Sequence, residues 1–560
     1  MTIMESKASS LNKGEVVIEE TTATDDFKQH DNVDMSAVNN HDIALKQIIK
    51  ARPISNFSNK RIKLYLVCVC LYLCATMSGY DGSLMTSINT LPEYLDYFNL
   101  ENTASGTGLV FSIYPIGSMC ATCLVWLADY IGRVPAIAVG LIILVAGAIL
   151  SAATSNHDAF IAARFFISFG STIAITAAPA YMMEVLPPNM KILALFYNTF
   201  YYIGSIIATW TMYGTSIRYQ GTHKSFTIAL WLQLLCPGLV LSCIWLFPES
   251  PRYYYSKNKI DKAKSFIVKY HANGDENHPL VSAELDQMAQ SFAESGFLKP
   301  RDYLDFSIFL KSRALKKRTL LVILWSWICQ YSGNQVITYY MTTLFLNLGV
   351  TNATTRLLLT AVNSIICFLT ASAGALTVER LGRRPVLMYA CVGFVISFIA
   401  LAISTKAFSD NSDNKMAAQV GIAFIYIFQA VFFSFAFTPL QPTYPSEILS
   451  NEMRARGLAL WHLVSNAAST LNLYTAPLAM EKITYWYYVF FVFWDLLELI
   501  VIYFMFVETS GLSLEEIEHV FTVKGSVKES IRLSKASRSS DTECVEDALG
   551  QKPEYSETRV

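Results

Sequence analysis

The stretch ADYIGRVPA at residues 128–136 follows an apolar run and is repeated, with the same pattern, as VERLGRRPV at residues 378–386. Two further pairs of motifs recur in the same order at a near-constant offset: AYMMEVLPPNMK (180–191) with TYPSEILSNEMRARG (443–457), and FPESPR (247–252) with FVETSG (506–511). Such self-similarity indicates an internal duplication. The chain is therefore expected to contain two similar halves joined by a middle segment.

The composition is that of a membrane protein. Of the 560 residues, 53% are hydrophobic and only 16% are charged, which excludes a disordered chain and an ordinary soluble domain. The net charge of −1 offers no basic surface to nucleic acid. Twelve apolar runs approach the roughly 20 residues that a helix needs to cross a bilayer. These spans 1 to 12 are 64–86, 107–128, 136–154, 159–178, 193–214, 226–247, 319–345, 354–378, 386–405, 420–442, 457–477 and 484–507.

The predicted fold is an all-α membrane protein with twelve transmembrane helices in two pseudo-symmetric halves of six. Basic residues precede span 1, follow spans 8 and 10, and are frequent in the middle segment, whereas the loop after span 1 has none. The positive-inside rule then places both tails and the middle segment in the cytoplasm. The predicted segments are an N-terminal tail (1–60), a first half (61–248), a linker with short helices (249–318), a second half (319–507) and a C-terminal tail (508–560).

Two parallel six-helix halves suit alternating access, in which a site near the bilayer midplane faces one side and then the other. Acidic and basic residues recur in both halves at the predicted cytoplasmic ends of the spans. Opposite charges there can latch the halves together and separate when the halves part; plain interfacial anchoring is the alternative. The candidate cytoplasmic gate residues are Arg133, Glu184, Glu249, Arg252, Glu379, Arg383, Arg384, Glu447 and Arg454.

One carboxylate stands out because it ends the apolar run KLYLVCVCLYLCATMSGYDG at residues 63–82. A charge inside the hydrocarbon is costly, usually functional and usually paired, and Arg164 in span 4 is the natural partner of Asp81. Proximity to Arg164 favours the ionised carboxylate, whereas separation in a dry site favours the protonated one. We expect this pair to couple protons to transport; a static buried salt bridge is the alternative. Asp495 and Glu498, one turn apart in span 12 without a cation in that span, favour a structural role.

A sugar presents a ring of hydroxyls and a weakly apolar face, so its site needs amides, tyrosines and an aromatic ring. Span 7 supplies them densely in QYSGNQVITYY at residues 330–340, and polar residues in spans 5, 10 and 11 extend the set into both halves. The alternative for such amides is hydrogen bonding between helices. The candidate substrate-binding residues are Asn198, Thr199, Gln330, Asn334, Gln335, Tyr339, Gln441 and Asn472.

Five signatures together resemble the sugar-porter family of the major facilitator superfamily: PESPR (248–252), E-R-x-G-R-R (379–384), P-x-Y-x-x-E (179–184), E-I-x(5)-R-x-R-G (447–457) and E-T-x-G-x-S-L-E-E-I (508–517). ATMSGYDGSLM, SGTGLVFSIY, YNTFYYIGSIIA, QYSGNQVITYY and SFAFTPLQPTY further resemble the fungal lactose-permease group. The resemblance implies a sugar:proton symporter of the plasma membrane. In proton-coupled sugar porters an aspartate in the first span and an arginine in the fourth form the coupling pair, and Asp81 and Arg164 match those positions.

The departures from the family pattern bear on the gate and on the sugar. Tyr130 and Val134 replace basic residues of the first loop motif, Lys191-Ile192 replaces Arg-Gly, and Ser510 replaces a lysine. In span 7 the tandem glutamine is Cys329-Gln330 and the following asparagine is Gln335, while Pro442 stands at the span 10 tryptophan position. The lactose-permease group shares some of these changes, which favours lactose or a related disaccharide or galactoside. Cellobiose, galactose or glucose as substrate, and a non-transporting sugar sensor of the same fold, remain alternatives.

The sequence favours no enzyme, cofactor or metal site. It contains no nucleophile elbow, P-loop or metal-binding cluster, and Cys120 and Cys123 form a CxxC inside an apolar span, where packing is the better interpretation. The expected partners are the sugar, protons and the lipid bilayer. Lysines and serines in the tails suggest regulation by ubiquitin-dependent endocytic machinery.

Overall fold

The structure is a computed structural model, and the regular secondary structure of the residues that it describes is helical, without β-strands among them. Glu379 and Arg380 belong to a described helix, but their side chains lie outside the description. The described residues are 58–98, 104–187, 190, 193, 196–295, 306–411, 413–450, 453–483, 485–512, 514–523 and 525–536.

Each of the six predicted spans of the first half coincides with helical structure. Span 5 is preceded by a 3₁₀ turn at Tyr197–Thr199, and span 6 consists of two short helices in succession. The helices are Asn59–Ile88, Ala104–Thr122, Arg133–Ala153, His157–Val185, Phe200–Arg218, and Lys224–Leu232 with Leu235–Cys243.

The six spans of the second half are helical as well, but two are irregular. Span 7 is broken into Arg313–Tyr331, Asn334–Tyr339 and Met341–Asn347, and its helix begins six residues before the predicted start because Ser312 accepts a cap hydrogen bond from Leu315 N at 3.2 Å. Span 10 contains a π-helical stretch, Ile427–Phe437, between Lys415–Tyr426 and Thr438–Ile448. The remaining helices are Ala353–Leu381, Arg383–Asp410, Arg454–Ile483 and Trp486–Met505.

Eight of the described helices are long and apolar enough to cross a membrane, and Gly108–Thr122 is a shorter apolar helix. Spans 5, 7 and 11 fall below that threshold because they carry more polar side chains or are broken. Irregular or polar helices at membrane depth are tolerated where they are buried in protein or line a cavity. The twelve-helix arrangement therefore combines an apolar scaffold with a few polar helices.

Close crossings of helices depend on glycine. A Cβ at Gly79 of span 1 would lie 1.8 Å from the backbone oxygen of Tyr201 in span 5, and a Cβ at Gly204 would lie 1.9 Å from that of Thr76. Each glycine thus admits the backbone of the other helix. The halves meet through spans 2 and 11 and through spans 5 and 8.

In the described part of the linker lie the α-helices α1 (Pro251–Ser256), α2 (Ile260–Tyr270) and α3 (Pro279–Ser295) and a 3₁₀ helix at Phe306–Leu310. Helix α4 (Leu514–Thr522) follows span 12. Helix α4 packs on the beginning of span 7, and α2 packs on the beginning of span 1. We call the membrane face from which these helices extend the linker end.

Candidate functional site

The two intramembrane charges singled out in the sequence are in contact. Arg164 Nη1 donates a hydrogen bond to Asp81 Oδ1, and each residue is only 3% exposed. The Arg164 guanidinium also lies over the ring of Tyr114, 5.1 Å from its centroid. A buried ion pair needs further hydrogen bonds to offset desolvation, so its neighbours matter.

Gln233 supplies one such hydrogen bond, and sequence reasoning missed it. Its Nε2 donates to Asp81 Oδ1 at 2.7 Å, and the residue is 5% exposed. The available signal was that Gln233 is the one amide in the apolar run of span 6. Asp81 Oδ2 and Gln233 Oε1 are buried and have no hydrogen-bond partner within the described part of the chain. Asp81 Oδ2 is therefore the unpaired oxygen of this group in the described chain.

Two tyrosines, one from each half, lie beside the segment of span 1 that carries Asp81. A Cβ at Gly82 would lie 3.0 Å from the hydroxyl of Tyr201 in span 5 and 3.8 Å from that of Tyr339 in span 7. One turn along span 1, Thr86 Oγ1 donates to the backbone oxygen of Thr338 at 3.2 Å. The segment that carries Asp81 therefore packs directly on the broken part of span 7.

The break in span 7 is located at Gly333, whose φ of +77° is in the left-handed region that glycine adopts readily. Beyond the break, Gln335 Nε2 turns back to donate to Gln330 Oε1. Thr338 Oγ1 donates to Asn334 Oδ1 at 3.0 Å. Three of the predicted amides are thus brought to one region by a helix break that periodicity alone does not give.

Gln429 of span 10 completes this amide cluster and was also missed. Its Nε2 donates to Thr338 Oγ1 at 3.1 Å, and it is located in the π-helical stretch. π-Bulges occur frequently at functional sites. The side-chain oxygens of Gln335 and Gln429 are buried without a partner in the described ranges, as is Oδ1 of Asn363 in span 8. Unpaired buried acceptors are costly and are available to a ligand's hydroxyl groups.

Asn472 has a different environment from the other candidate amides. It is fully buried, its Nδ2 donates to the backbone oxygen of Gln330 at 2.8 Å, and its Oδ1 accepts from the Tyr487 hydroxyl at 3.5 Å. Both polar ends are occupied, so this geometry favours a role in fixing the end of the first segment of span 7.

The remaining substrate candidates have environments of their own. Asn198 is exposed in the 3₁₀ turn before span 5, and Thr199 is 8% exposed. Tyr339 packs edge-on against Phe111 at 5.5 Å between ring centroids. Gln441 is half-buried, and its backbone oxygen accepts from Trp325 Nε1 at 3.2 Å.

The acidic pair of span 12 is deeply buried. Asp495 and Glu498 are 0% and 2% exposed, and Trp494 Nε1 donates to Glu498 Oε1 at 2.7 Å. No cation pairs with either carboxyl in the portion of the chain that the structure covers, and both Asp495 oxygens have no partner there. Two buried carboxyls one turn apart on the same helix favour a structural role for this pair over a charged one.

At the linker end, the charged residues of the first-half motif pair with one another. Arg133 makes a two-point contact with Glu184, with Nη2–Oε1 at 3.0 Å and Nε–Oε2 at 3.2 Å, and it also pairs with Asp129. Glu249 accepts from the backbone N–H groups of Arg133 and Val134 at 3.0 and 3.3 Å, where a carboxylate complements the start of span 3. Burial nevertheless raises the pKa of Glu249 above its ordinary value.

The second half repeats this geometry. Arg383 contacts Glu447 with Nη2–Oε1 at 2.9 Å and Nε–Oε2 at 3.3 Å. Glu508, absent from the predicted gate residues, accepts from the backbone N–H groups of Arg383 and Arg384 at 3.0 and 3.1 Å. The repeated motif thus predicts the repeated contact, since Glu508 is the counterpart of Glu249.

The other gate candidates are more peripheral. Arg384 donates to the backbone oxygen of Tyr503 at 2.7 Å, Arg252 is exposed, and Arg454 is half-buried with its Nε unpaired in the described chain. The described Arg133 and Arg383 pairs each join elements of one half, because the carboxylates in reach belong to that half. A latch between the halves stays a prediction. The side chain of Glu379 and residues Lys191-Ile192 lie outside the described part of the chain.

A family model described as "Sugar (and other) transporter" matches residues 67–521, so the chain belongs to this family. It is 26% identical over 489 residues to the MFS glucose transporter mfs1 of Aspergillus flavus, covering 82% of this chain and 90% of that protein. It is 25% identical over 487 residues to the high-affinity glucose transporter of Kluyveromyces lactis, with 82% and 85% covered. It is 24% identical over 497 residues to the quinate permease of Neurospora terricola, with 81% and 89% covered.

Among solved structures, the chain is similar to the xylose transporter XylE from E. coli in a partially occluded inward open conformation. The TM-score is 0.65 at 17% identity, covering 80% of this chain and 99% of that chain. This likeness shows the fold, which is the twelve-helix fold of the major facilitator superfamily. The protein is thus a multi-pass membrane transporter of the sugar-porter class.

Proposed function

We propose that this protein takes up a sugar together with a proton across the plasma membrane by alternating access. The observation that carries the proposal is the buried contact of Asp81, Arg164 and Gln233, with Asp81 Oδ2 open. During the transport cycle Asp81 exchanges its contact with Arg164 for a proton, and the separation of the two side chains accompanies the change of the side that the site faces. Gln233 holds Oδ1 and leaves Oδ2 to take the proton.

The driving force is sufficient for accumulation. One charge that moves down a potential of about 100 mV releases about 2.3 kcal/mol. Because about 1.4 kcal/mol corresponds to a factor of ten, this supports a sugar gradient of roughly fifty-fold. A pair that binds one proton per cycle is therefore enough for active uptake.

Lactose, or a related disaccharide or galactoside, is the proposed substrate. Gln330, Gln335 and Gln429 present amides in spans 7 and 10, and Tyr339 of span 7 offers an aromatic face. The sequence likeness to fungal lactose permeases favours a β-galactoside, whereas the relatives named above transport glucose or quinate. Because two of those relatives are glucose transporters, glucose is the first alternative to test.

The experiment is uptake of labelled lactose into cells that lack their own permease, with and without a protonophore. Wild type should accumulate lactose, and the protonophore should abolish accumulation. Asp81→Asn should lose accumulation by at least tenfold but retain exchange of labelled for unlabelled sugar, because binding survives while proton coupling does not. Asp495→Asn, which removes a buried carboxyl outside the site, is the matched control and should accumulate normally.

Accumulation that survives the protonophore would contradict proton symport. Absence of lactose uptake by well-expressed wild type, with uptake of glucose, cellobiose or galactose, would contradict the proposed sugar only. Failure with every sugar would favour a sensor of the same fold.

A further inference from the structure

His271, at the end of linker helix α2, contacts hydrogen-bond acceptors on both sides of its ring. Nδ1 is 2.7 Å from Glu284 Oε2 on helix α3, and Nε2 is 3.0 Å from the backbone oxygen of Val185. The residue is 3% exposed and Glu284 is 6% exposed. A neutral imidazole carries one donor and one acceptor, so only the imidazolium donates to both partners.

The position of Val185 strengthens this requirement. Val185 is the last residue of span 4, so its carbonyl has no intrahelical partner and lies at the negative end of the helix dipole. A cation at this point is favoured by both the carboxylate and the helix end. His271 therefore joins linker helix α2 to the end of span 4, the helix that carries Arg164.

The same histidine is also fastened to span 1. Arg61 Nη2 donates to the backbone oxygen of His271 at 3.0 Å, and Lys60 Nζ donates to that of Asn273 at 3.3 Å. Span 1 carries Asp81. One residue of the linker thus holds the linker ends of the two helices whose charges meet in the membrane.

We propose that His271 is a pH-sensitive positioning residue that, when protonated, holds spans 1 and 4 together at the linker end. Deprotonation leaves one ring nitrogen facing an acceptor without a hydrogen, so the linker loosens as pH rises. Among charged and titratable groups, Glu284 contacts the ring and Arg61 donates to the backbone oxygen of His271. Lys60 donates to the backbone oxygen of Asn273, and Tyr270 and Glu184 are the chain neighbours of His271 and Val185.

His278 offers a matched control within the same linker. It is 6% exposed, but its Nδ1 accepts from the backbone N–H of Leu280 at 3.1 Å, so the neutral ring satisfies the contact. His278→Asn keeps a side-chain acceptor and leaves His271 in place. If buried histidines affected the linker only through packing, the two substitutions would have similar effects.

The test is hydrogen exchange of the backbone in α2 and α3 of the full-length protein in lipid nanodiscs, between pH 6 and 8, with labelling times scaled to the intrinsic rate. Wild type and His278→Asn should lose protection as pH rises. His271→Asn should exchange about tenfold faster at pH 6, reflecting one lost charge-assisted hydrogen bond. Glu284→Gln should remain protected at both pH values, because its amide can donate to the neutral ring.

Protection in wild type that does not change with pH, or an equal response of the two histidine variants, would overturn the proposal. Glu284→Gln covers the case in which His271→Asn fails to fold, since a pH dependence that persists in Glu284→Gln also overturns it. Exchange does not require transport, so its failure is distinct from failure of the proposed function. A second measurement, uptake at different internal pH values, rests on the proposed transport function. There, Glu284→Gln should depend less on internal pH than wild type does.

Discussion

Spans 1 and 5 of the first half and spans 7 and 11 of the second are equivalent pairs in the duplicated chain, yet they cross differently. The first pair crosses at Gly79 and Gly204, which bring two continuous helices into backbone contact. In the second pair span 7 is broken at Gly333, and Asn472 holds the broken end through the carbonyl of Gln330. One duplicated arrangement has thus become a rigid support for Asp81 in one half and an irregular, amide-bearing segment in the other.

The strongest way to break the glycine crossing is to add a methyl group. Gly79→Ala or Gly204→Ala should lower the free energy of unfolding by about 3 kcal/mol, because the added Cβ meets backbone that cannot move aside. The measurement is the melting temperature and the monodisperse yield of the purified protein. Gly214→Ala is the control, since no atom lies within 4 Å of that Cβ position. Equal melting temperatures in all three variants would show that the helices can separate freely.

A substitution at the crossing of spans 7 and 11 should cost less stability than one at the glycine crossing. Asn472→Ala leaves the Gln330 carbonyl without its donor in a buried site, and we expect a loss of about 2 kcal/mol in stability. Asn466→Ala is the control in the same helix, because the Asn466 amide donates at 2.8 Å to the backbone oxygen of His462, one turn earlier in that helix. The melting temperature distinguishes them, and a similar small change in both variants would contradict the role of Asn472.

The comparison also predicts which half dominates sugar affinity. Gln335→Ala removes a buried amide with an open acceptor, and we expect about a tenfold rise in KM from one lost hydrogen bond. Asn198→Ala, on the exposed 3₁₀ turn of the first half, should change KM less than threefold. Initial uptake rates against sugar concentration give both values, once the substrate is identified. A larger effect at Asn198 would move the main contacts to the first half.

The smallest expected difference lies between the two charged clusters. Glu508 accepts four backbone N–H groups, of Arg383, Arg384, Thr509 and Ser510, whereas Glu249 accepts three. Burial also raises the pKa of Glu249, so ionisation of this carboxyl destabilises the folded state. This destabilisation grows as the pH rises above the ordinary pKa of a glutamate. Glu508→Gln should therefore lower stability at pH 7 by about 1 kcal/mol more than Glu249→Gln.

Thermal unfolding of the two glutamine variants at pH 7 and at pH 5 measures this difference. At pH 5 the Glu249→Gln variant should differ from wild type least, because protonation already removes part of the charge in wild type. A larger loss for Glu249→Gln than for Glu508→Gln would show that the first-half cluster is the stronger one.

Several parts of the candidate site follow from residue type and position alone. An aspartate and an arginine inside apolar runs require each other because an unpaired charge in hydrocarbon is costly, and Asp81 and Arg164 are in contact. The functional role given to them stays a prediction. Gln233 and Gln429 were missed because a single amide in a span is compatible with packing between helices. Only their partners, Asp81 and Thr338, distinguish them.

The sequence by itself determined the duplication, the helical membrane fold and the family, because apolar runs of spanning length permit few folds and the repeated motifs mark equivalent positions. The tertiary structure decided three features. Each arginine of the charged motifs pairs with a carboxylate of its own half, span 7 breaks at Gly333, and His271 contacts both span 1 and span 4. These features depend on contacts between residues far apart in the chain. Hydropathy gives the length and existence of a helix, but not its rotation or its neighbours.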